Sequence, residues 1–372
     1  MDADRRPPRH RGDHRSSVEI PTALDQRTYC MCNTTTAAWQ KNTMIREKTQ
    51  GGERRTIEVC RICGGSFRRS LPVREMMFGT REAFLYYQCA DCDCLQIGAI
   101  PEDIGRHYPA DYYSYDLRRH HSLKRWRRGL RRRWILTAPG AVAAVLGAFS
   151  PSDQLFHMYR SLGVKLGCRL LDVGAGSGGH VLELRDAGVA NAIGLDPFVQ
   201  EDVVVRGQAV VYRKALTDMT GAFDLITFHH SLEHMPEQVE ALAESRRLLA
   251  NGGRVLVRIP TVTSEAFERY QENWMSLDAP RHLFLHSHRS LEIVASKAGL
   301  RISRLWCDST AMQFTASEQY EKDIPLTDPR SAAFGTGGGL FTRSQRREFE
   351  RRAKALNRSL RGDSICALLG AG

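Results

Sequence analysis

From Asp153 to Cys307 short apolar runs alternate with stretches in which apolar residues recur every three or four positions. Runs of four to eight apolar residues bounded by turn formers suit buried strands, and the longer periodic stretches suit helices. The strands expected are Arg169 to Val173, Ala192 to Asp196, Ala209 to Tyr212, Leu225 to His229, Arg254 to Ile259 and Arg301 to Cys307. Helices are expected over Pro236 to Leu249 and over Ser290 to Ala298, the latter ended by Gly299 as a C-cap. A last apolar run, Ser364 to Leu369, supplies a seventh strand after a very basic helix over Ser344 to Leu360. Alternating strands and helices of this kind make an α/β fold, a doubly wound parallel sheet.

Outside that core the pattern changes. Residues 1–55 are rich in Arg, Pro, Thr and Gln with little periodicity and are expected to be disordered, Cys30 and Cys32 included. Residues 56–115 form a compact cysteine module, 116–152 a basic linker, 153–309 the core, and 310–372 a C-terminal extension carrying the last strand. In the module, Cys60 and Cys63 make one C-x2-C knuckle, with Gly64 and Gly65 behind it, and Cys89 and Cys92 make a second. Two such knuckles supply four thiolates to a tetrahedral ion, so a closed structural Zn²⁺ site is expected, with Cys94 as a substitute ligand for Cys92.

Between Leu117 and Ile135 the chain has nine Lys or Arg residues and no acid, and Leu123, Trp126, Leu130 and Trp134 recur there at helical spacing. This describes a basic amphipathic helix, suited to peripheral contact with an anionic membrane surface, to an acidic partner or RNA, or to packing its stripe on its own domain. The run carries much of a net charge of +11, from 53 basic and 42 acidic residues. The only long uncharged stretch, Ile135 to Ser152, is interrupted by Pro139 and Gly140 and falls short of the roughly 20 apolar residues a spanning helix needs. The N-terminus lacks the apolar region of a secretory signal, so cytoplasmic residence is expected, with the ten cysteines as thiols or metal ligands.

Residues Arg169 to Leu184, RLLDVGAGSGGHVLEL, join a strand, a glycine turn and a helix. Gly174, Gly176 and Gly178, with Ala175 between the first two, let a ligand pass close to the backbone, and the helix offers it N-terminal amides. Gly174, Gly176 and Gly179 also satisfy G-x-G-x-x-G, so the glycines alone fit either a dinucleotide or S-adenosylmethionine (SAM). Asp172 favours SAM: a carboxylate before the first glycine suits the cationic methionine end and repels a pyrophosphate. Asp196 ends the next strand, where an acid meets ribose hydroxyls.

With LLDVGAGSG, GLD, FDLITFHHSLEHMP and LLANGGRVLVRIP in that order, residues 153–310 resemble the class I SAM-dependent methyltransferases, whose sheet is Rossmann-like and seven-stranded. The module ending CADCDCLQ, the run HYPADYYSYD and NWMSLDAPRHLFLHS extend the resemblance to bacterial methyltransferases of sugar and cell-surface polysaccharide biosynthesis, including nucleotide-sugar C-methyltransferases with an N-terminal zinc-binding domain. Compared with those enzymes the C-terminal part is much shorter. The resemblance implies that Asp172 meets the methionyl amino group, that the glycines pass under the cofactor, and that Asp196 holds the ribose. It also implies that Lys214, Ala215 and Leu216 line the adenine, and that His229 and His230 close the cofactor side facing the acceptor.

Methyl transfer to a sugar hydroxyl needs a general base, and His234 with Glu233, just beyond the fourth strand, lies where the crevice of an open α/β sheet opens. Arg281, for a phosphate or sugar hydroxyl pair, and His282, as a second acid-base group, follow the fifth strand; an Arg281 to Asp278 pair is the competing structural reading. His282, His286 and His288 read as an ordinary polar loop. The leading function is therefore methylation, O-directed, of a sugar, nucleotide-sugar or lipid-linked glycan. An RNA methyltransferase is the alternative, disfavoured because HHSLEHMP stands where base N-methylation has an NPPY-like motif. A zinc-ribbon adaptor on a SAM scaffold is the non-enzymatic reading, against which the intact Asp172, glycine turn and Asp196 argue.

Overall fold

The computed structural model describes residues 57–109, 123–139, 153–333 and 339–372. The expectation for residues 1–55 lies outside them. In chain order the elements are β1 Phe67–Arg74, β2 Ala83–Cys89, β3 Leu95–Ile97, α1 Leu123–Thr137, α2 Gln154–Ser161, β4 Leu170–Val173, α3 Gly179–Asp186, β5 Ala192–Leu195, β6 Val203–Val205, β7 Gln208–Tyr212 and β8 Phe223–His229. They continue as α4 Gln238–Arg247, β9 Leu249–Pro260, α5 Glu265–Tyr270, β10 Phe284–Leu285, α6 His288–Lys297, β11 Leu300–Cys307, α7 Met312–Glu321, α8 Arg343–Arg358 and β12 Ser364–Ala371.

The large sheet has the order β11-β12-β9-β8-β4-β5-β7-β6. Each strand read from the apolar runs is present. The sheet is mixed rather than wholly parallel, because β12 enters antiparallel between β9 and β11, and a short eighth strand, β6, pairs antiparallel with β7 at the edge. Val203 to Val205 is too short to stand out in the sequence, and only its pairing makes it a strand.

Alternation along the strands divides the core. Leu170, Leu225, Leu256 and Leu368 face the layer of α1, α2 and α3, where Ile135, Phe156, Tyr159, Val181 and Leu184 are buried. Leu171, Ile226, Val257 and Ile365 face the opposite layer, with Leu242 of α4 and Leu291 and Val294 of α6. α6 begins two residues before the expected Ser290, because Ser287 and Ser290 close a capping box; Gly299, φ 71°, follows the helix as expected. α8 is capped the same way by Thr342 and Gln345.

The cysteine module joins the core through a second sheet, β1-β2-β3-β10, in which β10 comes from the loop that follows α5. Arg281 locks the joint: its guanidinium, buried, donates to Asp278, to Glu75 of the module at 2.8 Å and to the His107 carbonyl at 3.1 Å. Tyr86 hydroxyl donates to the His282 carbonyl at 2.8 Å, and Ser287 hydroxyl to the Cys92 carbonyl.

The basic helix expected before the core is α1. Its inward face is Gly129, Arg132, Ile135 and Leu136, and a Cβ on Gly129 would come 2.7 Å from the Asp186 carbonyl oxygen. Arg125 pairs with Asp186, and Arg132 with Asp153 and Glu183. The tryptophan stripe faces the other way: Trp126, Leu130 and Trp134 are exposed. No helix among the described residues is long and apolar enough to cross a membrane.

Candidate active site

The glycine turn leaves the C-terminal end of β4 with Gly174, Gly176 and Gly178 all at positive φ, a backbone that a Cβ would strain. At Gly174 a Cβ would also come 2.5 Å from the Cβ of Ser231, whose hydroxyl donates to the Val173 carbonyl at 2.6 Å. Asp172 is buried and accepts from the Thr227 hydroxyl at 2.7 Å. Burial, reinforced by the nearby charge of Asp196, pushes its carboxyl up to about 7 against that hydrogen bond. A cation placed beside it would restore the ionised form, so Asp172 suits a positively charged ligand group.

Asp196 follows β5 at the same edge. Its carboxylate accepts from the amide of Gly176 at 2.8 Å and from that of Phe198 at 2.9 Å, which ties it to the glycine turn and leaves lone pairs for hydroxyl donors. β7 leads to Leu216, half-buried in the 3₁₀ turn Leu216–Asp218 on the main core. A buried carboxylate short of a cation, a glycine cradle and a second carboxylate at the rim are what SAM requires, and these residues fit it.

His229 and His230 end up on different sides. The Tyr159 hydroxyl lies 2.6 Å from His229 Nε2 and 2.5 Å from His180 Nε2, so the His229 ring is held against α2 and α3. Burial lowers both imidazoles, His180 to about 3, and keeps them neutral. Tyr159 and His180 were not singled out from sequence; His180 adjoins the glycine turn, but nothing local marked Tyr159. His230, φ 52°, turns instead toward a cavity of about 270 Å³ beyond the ends of β8 and β9.

That cavity is lined among others by His230, His234, Asp278, His282, Asp308 and Asp363. Glu233 and His234 sit in a 3₁₀ turn, Leu232–His234, just after β8. His234 Nδ1 is 2.9 Å from the Arg281 carbonyl, which can only accept; Nδ1 therefore carries the proton and Nε2 the lone pair. Burial lowers this imidazole to about 4, so it is neutral near pH 7. Glu233 is wholly buried; its carboxyl is held down at about 2, burial being outweighed by His230, His234 and His282. His282 places Nδ1 2.7 Å from the Ser276 carbonyl and Nε2 3.8 Å from Glu233 Oε1. The structure thus brings the three expected catalytic residues together, though His282 lies 48 positions beyond His234 in the chain. Arg281 is not on the cavity wall, since Asp278, Glu75 and His107 occupy its donors. His286 is bonded to Ser290 and Gln238 in the core.

In the module, sulfurs of Cys60, Cys63, Cys89 and Cys92 lie within 4.8 Å of one another, the pairs Cys60 to Cys92 and Cys63 to Cys89 at 3.7 and 3.4 Å. The amides of Gly65, Asp91 and Cys92 and the Gln96 side chain donate to these sulfurs, as suits thiolates. Cys94 is buried outside the cluster, its thiol directed at the Leu95 carbonyl.

The fold and this edge define a class I SAM-dependent methyltransferase. A model of the methyltransferase domain matches residues 117–305, half of the chain, and the chain belongs to that family. No curated protein matches the sequence. Similar solved structures include a SAM-dependent methyltransferase of Thermotoga maritima, with 16% identity, 55% of this chain and 83% of that one covered, and a TM-score of 0.36. A second, from Archaeoglobus fulgidus, has 19% identity, 61% and 97% covered, and a TM-score of 0.37. The magnesium protoporphyrin IX methyltransferase of Synechocystis PCC 6803, with bound SAH, has 18% identity, 50% and 88% covered, and a TM-score of 0.33. Likenesses at this level say nothing of the acceptor.

Asp196→Ala is expected to weaken SAM by about 1.5 to 3 kcal/mol, the worth of hydrogen bonds to a charged group. Calorimetry with SAM and with NAD checks this; unchanged SAM affinity would remove Asp196 from the site, and tight NAD binding without SAM would overturn the cofactor.

Proposed function

We propose that the protein methylates a hydroxyl of a sugar or glycan acceptor seated in the cavity beyond β8 and β9. The observation that carries this reading is the cavity wall: carboxylates of Asp278, Asp308 and Asp363 and imidazoles of His230, His234 and His282 in a space of about 270 Å³. Such a wall, with Arg258 paired to Asp308 and Asp278 paired to Arg281, offers a polyhydroxyl ring several acceptors and little unpaired positive charge for the phosphates of RNA, the alternative acceptor. SAM, when bound, supplies a methyl group made electrophilic by its sulfonium. Asp172 and Asp196 hold it, and His234 Nε2 takes the acceptor's proton while Glu233 carries the balancing charge. Radiolabel transfer from SAM to a panel of nucleotide sugars and lipid-linked glycans, against bulk RNA, tests the reading: labelled RNA with unlabelled glycans would overturn it.

The four-cysteine cluster is proposed to hold structural zinc, for which four thiolates leave no open position. The exposed Trp126, Leu130 and Trp134, flanked by exposed Arg127, Arg128 and Arg133, support peripheral contact with an anionic bilayer at the cytoplasmic face. The protein is expected to sediment with phosphatidylserine vesicles at low salt, and Trp126→Ala with Trp134→Ala to abolish this. No sedimentation of the unsubstituted protein would remove the membrane contact.

A further inference from the structure

We propose that Glu233, His234 and His282 form a second metal site, for a first-row divalent cation, opening on the acceptor cavity. Glu233 is the starting point. Its side chain is wholly buried, and neither carboxylate oxygen has a hydrogen-bond partner. The nearest groups are His230 Nδ1, 3.3 Å from Oε1 but outside hydrogen-bond geometry, and His282 Nε2 at 3.8 Å. A buried carboxylate without donors is costly unless a cation offsets its charge.

The two imidazoles are set as ligands are. His234 donates through Nδ1–H to the Arg281 carbonyl, with the Tyr108 hydroxyl 3.1 Å from the same nitrogen, and His282 donates through Nδ1–H to the Ser276 carbonyl. A carbonyl on one ring nitrogen fixes the tautomer and leaves Nε2 free to bind, the arrangement usual behind metal-bound histidine. One donor atom from each of Glu233, His234 and His282 lies within 4.8 Å of the others, so closing on a cation requires a modest contraction. His234 and His282 also line the cavity, so further coordination positions face the acceptor. Two imidazoles and one carboxylate with open positions suit Mn²⁺, Fe²⁺ or Zn²⁺.

This inference rests on the cavity being the acceptor site. A hydroxyl bound to the cation keeps its oxygen electron pair and loses its proton far more readily than a free one, as water does on a metal. His234 Nε2 is thus the base in the metal-free protein and a ligand in the loaded one, where the proton leaves toward His230, whose side chain is 39% exposed; loss of His234 slows transfer in either state.

Mn²⁺ is the probe, because a four-thiolate cluster prefers zinc and leaves Mn²⁺ to nitrogen and oxygen donors. Full-length protein, its zinc retained, is titrated with Mn²⁺ and followed by electron paramagnetic resonance. One bound Mn²⁺ per chain is expected, with affinity reduced by at least about 100-fold in Glu233→Gln and in His282→Ala, while calorimetry shows both variants still binding SAM. No bound Mn²⁺, or binding undiminished in both variants, overturns the site. Glycan methylation unaffected by chelator also overturns it and leaves the proposed function intact. Binding that depends on Glu233 and His282 without methylation of any glycan upholds the site and removes the acceptor reading.

Discussion

His234→Ala is expected to slow methyl transfer by about 10²- to 10⁴-fold with SAM affinity nearly unchanged. The side chain lies beyond β8, its Nδ1 tied to the Arg281 carbonyl, whereas Asp172, Thr227 and Asp196 hold the cofactor edge through separate bonds. Removing the imidazole therefore takes away the proposed base without loosening the glycine turn. Single-turnover transfer measured beside SAM calorimetry separates the two. A variant that loses SAM binding or folding, with no separate effect on turnover, would make His234 a packing residue and move the base to His282 or His230.

Cys60→Ser or Cys89→Ser is expected to lose zinc and unfold the cysteine module while SAM binding persists. Structural zinc contributes about 10 to 16 kcal/mol of apparent binding energy in small zinc-binding peptides, a large share of the stability of a small module. The damage should reach catalysis through Arg281: with the module gone its guanidinium loses Glu75, and breaking a buried ion pair costs about 3 to 5 kcal/mol. The loop that carries His282 also loses the pairing of β10 with β3 and the bond from Tyr86. Metal analysis with SAM calorimetry and a transfer assay checks this. Less than one zinc per chain in reduced unsubstituted protein, or full transfer in the variants, would count against it.

The glycine turn and its flanking carboxylates, proposed to hold the cofactor, were legible as a unit because they are local. Asp172, the three glycines and Asp196 fall within 25 consecutive residues, and their roles follow from strand ends and positive φ, which residue type and spacing reveal. The cysteine knuckles were legible for the same reason: each is a tight turn, and the pairing of Cys60 with Cys92 and Cys63 with Cys89 needs only that the two turns meet. The apolar runs likewise marked every long strand of the core: central strands such as β4, buried on both faces, are mostly apolar, and the edge strand β11 still shows apolar Leu300, Ile302, Leu305 and Trp306 between its exposed Arg301, Ser303 and Arg304.

What the chain did not disclose are meetings of distant residues. Arg281 fitted an anion binder or a partner of Asp278 from sequence; the structure shows the Asp278 pair and adds Glu75, 206 positions away, which no local pattern announced. The stripe on α1 fitted a surface contact and a packing face equally from sequence; the helix turns Gly129, Arg132 and Ile135 inward and leaves Trp126 and Trp134 in solvent, because Asp153, Glu183 and Asp186 offer partners to its arginines. His282 joined Glu233 and His234 only through the loop that β10 anchors. By itself the sequence determined the positions of the long strands, the glycine turn between its two carboxylates and the two cysteine turns, all products of short-range backbone geometry and burial. Tertiary structure alone decided which buried charges face one another, since that depends on where long loops return, and no local pattern encodes the return.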